Sequence, residues 1–307
     1  MTTALLYHPI FDRHEVADGH PECPQRLTSI TDALHARHLY DHLVPVEARA
    51  ATRQELERVH QAWYLDMLEA RAPAAGFEQL DPDTWLGPHT LPAARHAAGA
   101  AVLATELVLE GRVASAFCCV RPPGHHAGKA SAMGFCYYNN IAVAAAHALA
   151  SGAIERVAIL DFDVHHGNGT EEIFLQDDRV LLCSSYQHPF YPYTGAPSEP
   201  GHIANVPLPA GTRGSEFRKA IETHWLPEID RFAPQFVFVS AGFDAHAGDP
   251  LAQLLLTVDD YAWITARIVE LAARHAGGRV VSSLEGGYAL DALAASACAH
   301  VQTLAGL

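Results

Sequence analysis

The chain has 307 residues, of which 49% are hydrophobic and only 18% charged. That balance suits a compact α/β enzyme and excludes a disordered or fibrous protein, while the length allows one or two domains. The formal net charge of −15 leaves no basic surface for nucleic acid.

Residues 1–8 hold no basic region followed by a long apolar stretch, so no signal peptide or membrane partner is expected. The six cysteines, Cys23, Cys118, Cys119, Cys136, Cys183 and Cys298, contain no Cys-x-x-Cys pair. They read as reduced thiols of a cytoplasmic protein.

Four apolar runs each end in a polar loop. Residues 114–120 run into Arg121-Pro122-Pro123-Gly124-His125-His126. Residues 156–160 run into Asp161-Phe162-Asp163-Val164-His165-His166-Gly167-Asn168-Gly169. Residues 236–240 lead to Ala241-Gly242-Phe243-Asp244, and residues 279–284 lead to Glu285-Gly286-Gly287-Tyr288. Between them, residues 141–149 and 261–273 are Ala-rich and helical in character, with Asp259 or Asp260 expected to cap the second. Continuous apolar strands alternating with helices predict an α/β fold, a parallel sheet with helices on both faces. Ligands bind such sheets beyond the carboxyl ends of the strands, where the four loops would gather. No repeat or low-complexity linker divides the chain, so residues 1–307 read as one domain.

The second loop is the most informative. Side chains alternate along a strand, so Asp161, Asp163 and His165 would point the same way. Buried charges must be paired or coordinated, which makes a metal-ligand set the reading of an apolar strand that ends so. Asp163, His165 and Asp244 would supply two oxygens and one nitrogen, the three-ligand form of a catalytic zinc site. Iron(II) and cobalt(II) tolerate similar donors. His125 and His126 are two adjacent imidazoles for acid–base steps, each needing an orienting partner, with Asp161 and Asn168 as the candidates. An aspartate partner favours an imidazolium far more than an asparagine does, so the two should differ in pKa. Tyr288, after two glycines, could reach a developing oxyanion. Together these parts describe metal-assisted hydrolysis of a neutral carbonyl, most plausibly an amide. Neither a nucleophilic serine elbow nor a phosphate-cradling loop competes.

These residues resemble the zinc-dependent histone deacetylase family, including its bacterial deacetylase-like and acetylpolyamine amidohydrolase members. Six motifs in family order carry the resemblance: residues 20–27, 121–126, 134–140, 161–169, 240–250 and 285–288. It implies the arginase/deacetylase fold, with a central parallel sheet of about eight strands. It also implies zinc on Asp163, His165 and Asp244, with His126 as main acid–base and Asn168 as its partner. His125 would tune electrostatics and Tyr288 would stabilise the oxyanion. By the same resemblance Gly134, Phe135 and Tyr191 line a narrow channel, Asp83 holds substrate backbone at the rim, and Arg26 lies near a product-release cavity. A structural potassium ion would use Asp161, Asp163, His165, Ser184 and Ser185.

Two departures sharpen the resemblance. Asn168 stands where some members carry aspartate, as in the class II and bacterial branch. Leu251 stands where one polyamine-selective group places a glutamate gatekeeper. Arginases share the fold but hold two manganese ions, and the stretch after Ser240 offers only Asp244 before Asp249. The expected activity is removal of acetyl or related acyl groups from lysine side chains, with deacetylation of acetylpolyamines or other small acetylated amines as the alternative. Homo-oligomerisation stays open.

Overall fold

Every residue of the four apolar runs that forms strand is buried, as a sheet covered on both faces requires. The computed structural model describes residues 2–17, 19–195 and 201–307. Its strands are β1 (Thr3–Tyr7), β2 (Leu43–Glu47), β3 (Glu78–Asp81), β4 (Thr84–Leu86), β5 (Ser115–Cys118), β6 (Val157–Asp161), β7 (Val180–Gln187), β8 (Ile203–Leu208), β9 (Phe236–Ala241) and β10 (Val280–Leu284). Eight of them make one parallel sheet in the order β2-β1-β5-β10-β9-β6-β7-β8, and β3 and β4 pair as a separate antiparallel hairpin. The four strands whose loops carry the chemistry are the four central neighbours.

Connection handedness sorts the helices. A parallel crossover is right-handed, so connections that step along the sheet in opposite directions lie on opposite faces. The chain steps one way from β1 to β2, and again through β8, β9 and β10. This places the helices Gln25–Ala36, Gly214–Phe232 and Val258–His275 on one face, where Leu290–Ala305 packs against the first and third. It steps the other way into β5 and from β5 to β6. The helices Thr90–Leu109 and Asn140–Ala150 therefore cover the second face, packed on each other.

Two sequence expectations are corrected here. Residues 114–120 form strand only over Ser115–Cys118, so Cys119 lies beyond it. The helix Val258–His275 is capped by Thr257, not by Asp259 or Asp260. Asp260 takes the third helical position and accepts the Thr257 N–H in a capping box, because a threonine hydroxyl can serve the third N–H while an acid there returns the bond.

His300 links the sheet to this helical face. Fully buried, it lies 2.7 Å from Thr265 Oγ1 and 2.8 Å from Ser282 Oγ. Burial lowers its pKa to about 3. The unfolded chain therefore takes up a proton near pH 6.5 that the folded chain refuses, and stability is lost as pH falls below that value. His300→Gln removes the titrating group while keeping a donor and an acceptor. Its stability deficit relative to wild type, read from urea unfolding, is expected to shrink by about 2 kcal/mol between pH 6.5 and pH 5. A deficit that does not vary with pH would refute the buried neutral imidazole.

Candidate active site

The loops after β5, β6, β9 and β10 meet over the centre of the sheet. Strand alternation is not what aims Asp163 and His165, because β6 ends at Asp161. Instead each acid folds the chain back on itself: Asp161 Oδ1 accepts the Asp163 N–H at 3.1 Å, and Asp163 Oδ1 accepts the His165 N–H at 2.8 Å. Such carboxylate-to-backbone turns need no neighbouring strand. Asp244 arrives from β9 and is held by the Val164 N–H, 2.9 Å from its Oδ1. The ligand atoms of Asp163, His165 and Asp244 then lie within 4.8 Å of one another. His165 Nδ1 is 3.0 Å from Asp163 Oδ1 and 3.2 Å from Asp244 Oδ2.

Three observations fit this set to a divalent cation. The Asp244 Oδ2 atom is buried and receives no well-formed hydrogen bond. A Cβ added at Gly242 would sit 2.1 Å from Asp163 Oδ2, and one at Gly286 would sit 2.1 Å from Asp244 Oδ2, so both glycines leave room around the carboxylates. Two carboxylates and an imidazole also suit zinc, iron(II) or cobalt(II). Among the protein's own charges, burial opposes an imidazolium at His165, but bonds to Asp163 and Asp244 raise its pKa to about 10. A bound cation would compete with that proton.

The histidine pair divides as its partners dictate. His125 Nδ1 lies 2.9 Å from Asp161 Oδ2 and His126 Nδ1 lies 2.7 Å from Asn168 Oδ1. Burial disfavours charge on both rings. At His125 it is outweighed by Asp163 and Asp161, which raise the pKa well above 6.5. At His126 burial is reinforced by His125 and His165, and the pKa falls well below 6.5. The amide oxygen of Asn168 only accepts, so His126 Nδ1 carries the proton and the Nε2 lone pair is available. The Asn168 amide nitrogen faces Met133 Sδ at 3.4 Å, which agrees with this orientation.

A cleft of about 220 Å³ opens above these groups, lined by Asp83, Pro123, His125, His126, Gly134, Phe135, His165, Tyr191, Leu251, Gly286 and Tyr288. Phe135 meets Tyr288 edge to face at 6.1 Å, and Tyr191 meets His126 likewise at 5.4 Å. Asp83, in the turn between β3 and β4, accepts the Gly134 N–H at 3.0 Å. Burial above all holds the Tyr288 phenol neutral, far above pKa 10, against the opposing Arg26 and with Asp244 and Asp163 adding to it. A larger cavity of about 480 Å³ lies against β1 and β2, and none of the site residues lines it.

Arg26, expected near a product-release cavity, is not among the residues that line the cleft. It is fully buried, donates to the Gly287 and Glu285 carbonyls and to Glu22, and stacks its guanidinium 5.0 Å from the Tyr288 ring centre. It supports the 285–288 loop from beneath. Ser184 and Ser185 lie on β7, with Ser184 in register with Asp161, and both hydroxyls are buried without a hydrogen-bond partner.

The sequence reading assigned no role to Glu285, Glu22 or Asp249. Glu285 Oε2 accepts the Gly124 and His125 N–H groups at 2.6 and 3.1 Å, which positions the histidine pair. Glu22 pairs with the fully buried Arg121, 2.7 Å from its guanidinium. A charge ending the apolar run of β10 was a legible signal for Glu285, the same one that singled out Asp161.

A family model described as histone deacetylase domain matches residues 20–304. The chain is 40% identical to the histone deacetylase-like amidohydrolase of Pseudomonas aeruginosa, over 95% of this chain and 78% of that protein. It is 37% identical to the polyamine deacetylase HDAC10 of Homo sapiens, over 100% of this chain but only 48% of the human protein. The solved HDA15 HD domain superposes with a TM-score of 0.94 at 38% identity, covering 99% of this chain and 88% of that one. The fold is that of the solved deacetylase domain, and the relatives make the chain a hydrolytic deacetylase. The chain belongs to the histone deacetylase family.

Proposed function

We propose that this protein hydrolyses the amide of acylated lysine side chains, using zinc held by Asp163, His165 and Asp244. The observation that carries the reading is the convergence of that ligand set with a neutral His126 and the Tyr288 hydroxyl in one narrow cleft. When bound, the ion supplies Lewis-acid polarisation of the acyl carbonyl and makes water more acidic. His126 Nε2 accepts a proton from the attacking water as its oxygen bonds to the acyl carbon. Tyr288 donates a hydrogen bond to the oxygen that gains charge. His126 then returns a proton to the lysine nitrogen as the C–N bond breaks, leaving a carboxylic acid and a free amine, which settle as carboxylate and ammonium. His125, paired with Asp161, holds positive charge beside this path.

The orphaned Ser184 and Ser185 hydroxyls support a second, structural potassium ion, held with Asp161, Asp163 and His165. Residues 1–307 are read as a single catalytic domain. No helix among the described residues is long and apolar enough to cross a membrane, and the six free cysteines support a cytoplasmic setting.

Acetylated small amines are the second reading, prompted by the relative named a polyamine deacetylase. The apolar Leu251, with Asp83 the one acid among the described residues that line the cleft, favours the lysine side chain over a cationic amine. Turnover of an acetyl-lysine peptide and of acetylputrescine by the zinc-loaded protein decides between them. Faster turnover of acetylputrescine would overturn the peptide reading.

Gly134 tests the placement of His126. It adopts φ +56°, and an added Cβ would lie 2.3 Å from His126 Cδ2. Gly134→Ala is expected to lower kcat by about 10²-fold, the cost of an ångström-scale misplacement, with circular dichroism unchanged. Wild-type turnover would show that the ring tolerates displacement.

A further inference from the structure

The loop that carries Tyr288 starts with Gly286 and Gly287, the latter at φ +120°. Paired glycines impose little restraint of their own; Asp163 holds the Gly286 N–H and Arg26 the Gly287 carbonyl, and the backbone of Tyr288 needs a further grip after them. Asp249 supplies that grip. The residue is 8% exposed, and its Oδ2 accepts the Tyr288 N–H at 2.7 Å and the Ala289 N–H at 3.2 Å. The other oxygen, Oδ1, accepts the Leu251 N–H at 3.0 Å. Tyr288 and Leu251 both line the cleft, so one carboxylate anchors the backbone of a wall residue and of the proposed oxyanion donor. Ala289 is the N-cap of the helix Leu290–Ala305 and makes no side-chain cap bond. Negative charge at that end is favoured by the helix dipole.

We infer that Asp249 is a positioning residue for Tyr288, acting on turnover through that side chain without touching substrate. The inference rests on the hydrolytic reading above. Asparagine cannot replace it: one acceptor oxygen serves only one of the two sides, and the amide N–H groups then face backbone N–H donors on the other.

A double-mutant cycle in the zinc-loaded full chain tests the assignment, with turnover of an acetyl-lysine peptide as readout. Asp249→Asn is expected to lower kcat by about 10- to 100-fold, as for a displaced catalytic group, with KM within about threefold of wild type. In a Tyr288→Phe background the same change should cost less than about twofold, because the hydroxyl it would misplace is gone. Circular dichroism and zinc content should match wild type. A folded D249N protein with wild-type kcat, or losses that multiply in the double variant, would overturn the inference. If the asparagine variant does not fold, Asp249→Glu enters the same cycle, and failure of both would assign Asp249 to folding and overturn the catalytic role. A wild-type protein inert towards acylated lysine and acylated amines is a separate outcome, which overturns the hydrolytic reading itself.

Discussion

Tyr288→Phe is expected to lower kcat by about 10²- to 10³-fold, the scale for loss of one oxyanion donor. The change removes a single oxygen. The ring keeps its packing against Phe135 and its guanidinium partner Arg26, and the backbone keeps its bonds to Asp249. Fold and substrate wall therefore stay in place. In the proposed role the hydroxyl meets charge that develops only in the transition state, so KM for an acyl-lysine peptide should change far less than kcat. The phenol is held neutral by burial, which excludes a phenolate base as its role. A zinc-replete Tyr288→Phe protein that turns over at the wild-type rate would remove Tyr288 from the mechanism. One that loses peptide binding instead would make it a wall residue.

Asp244→Asn should cost more, on the order of 10³-fold in kcat, because several kcal/mol of transition-state charge stabilisation depend on the ion. Asparagine can still accept the Val164 N–H through Oδ1, so the loop after β6 keeps its support. It replaces Oδ2, whose neighbour is His165 Nδ1 at 3.2 Å, with an NH2 group that has no lone pair for a metal. Zinc retained per chain after dialysis should fall with activity. Stability separates a ligand from a structural residue. Burial and the neighbouring Asp163 raise the Asp244 pKa to about 6, a sign that ionised Asp244 is unfavourable without a cation. The metal-free variant should therefore melt no lower than metal-free wild type at pH 8, while added zinc should stabilise wild type alone. A variant that keeps its zinc, or melts well below metal-free wild type, would contradict this assignment.

Much of this site was legible because of one local rule. An apolar strand buried on both faces has no reason to end in charge unless the charge is used, and that rule singled out Asp161, Asp163, Asp244 and the histidine pair. The same rule reached Glu285 but attached no chemistry to it, since its partners, the Gly124 and His125 N–H groups, lie some 160 residues away in the chain. Asp249 carried no signal at all. It follows a turn-rich stretch, where an aspartate is ordinary, and only the approach of the 285–288 loop gives it work.

The residue types and their order along the chain determined the class of fold, the parallel sheet and the identity of the chemical groups, because hydrophobic runs and terminating polar residues are local properties. Only the tertiary structure decided which groups meet. The last two strands, β9 and β10, insert between β5 and β6, and this brings Asp244 and Tyr288 to the same site as the histidine pair and the Asp163–His165 turn. Across the loops Asp161 meets His125 and Asn168 meets His126, and Arg26 packs against the ring of Tyr288. Strand neighbours are chosen by packing over the whole chain, and no window of sequence contains that choice.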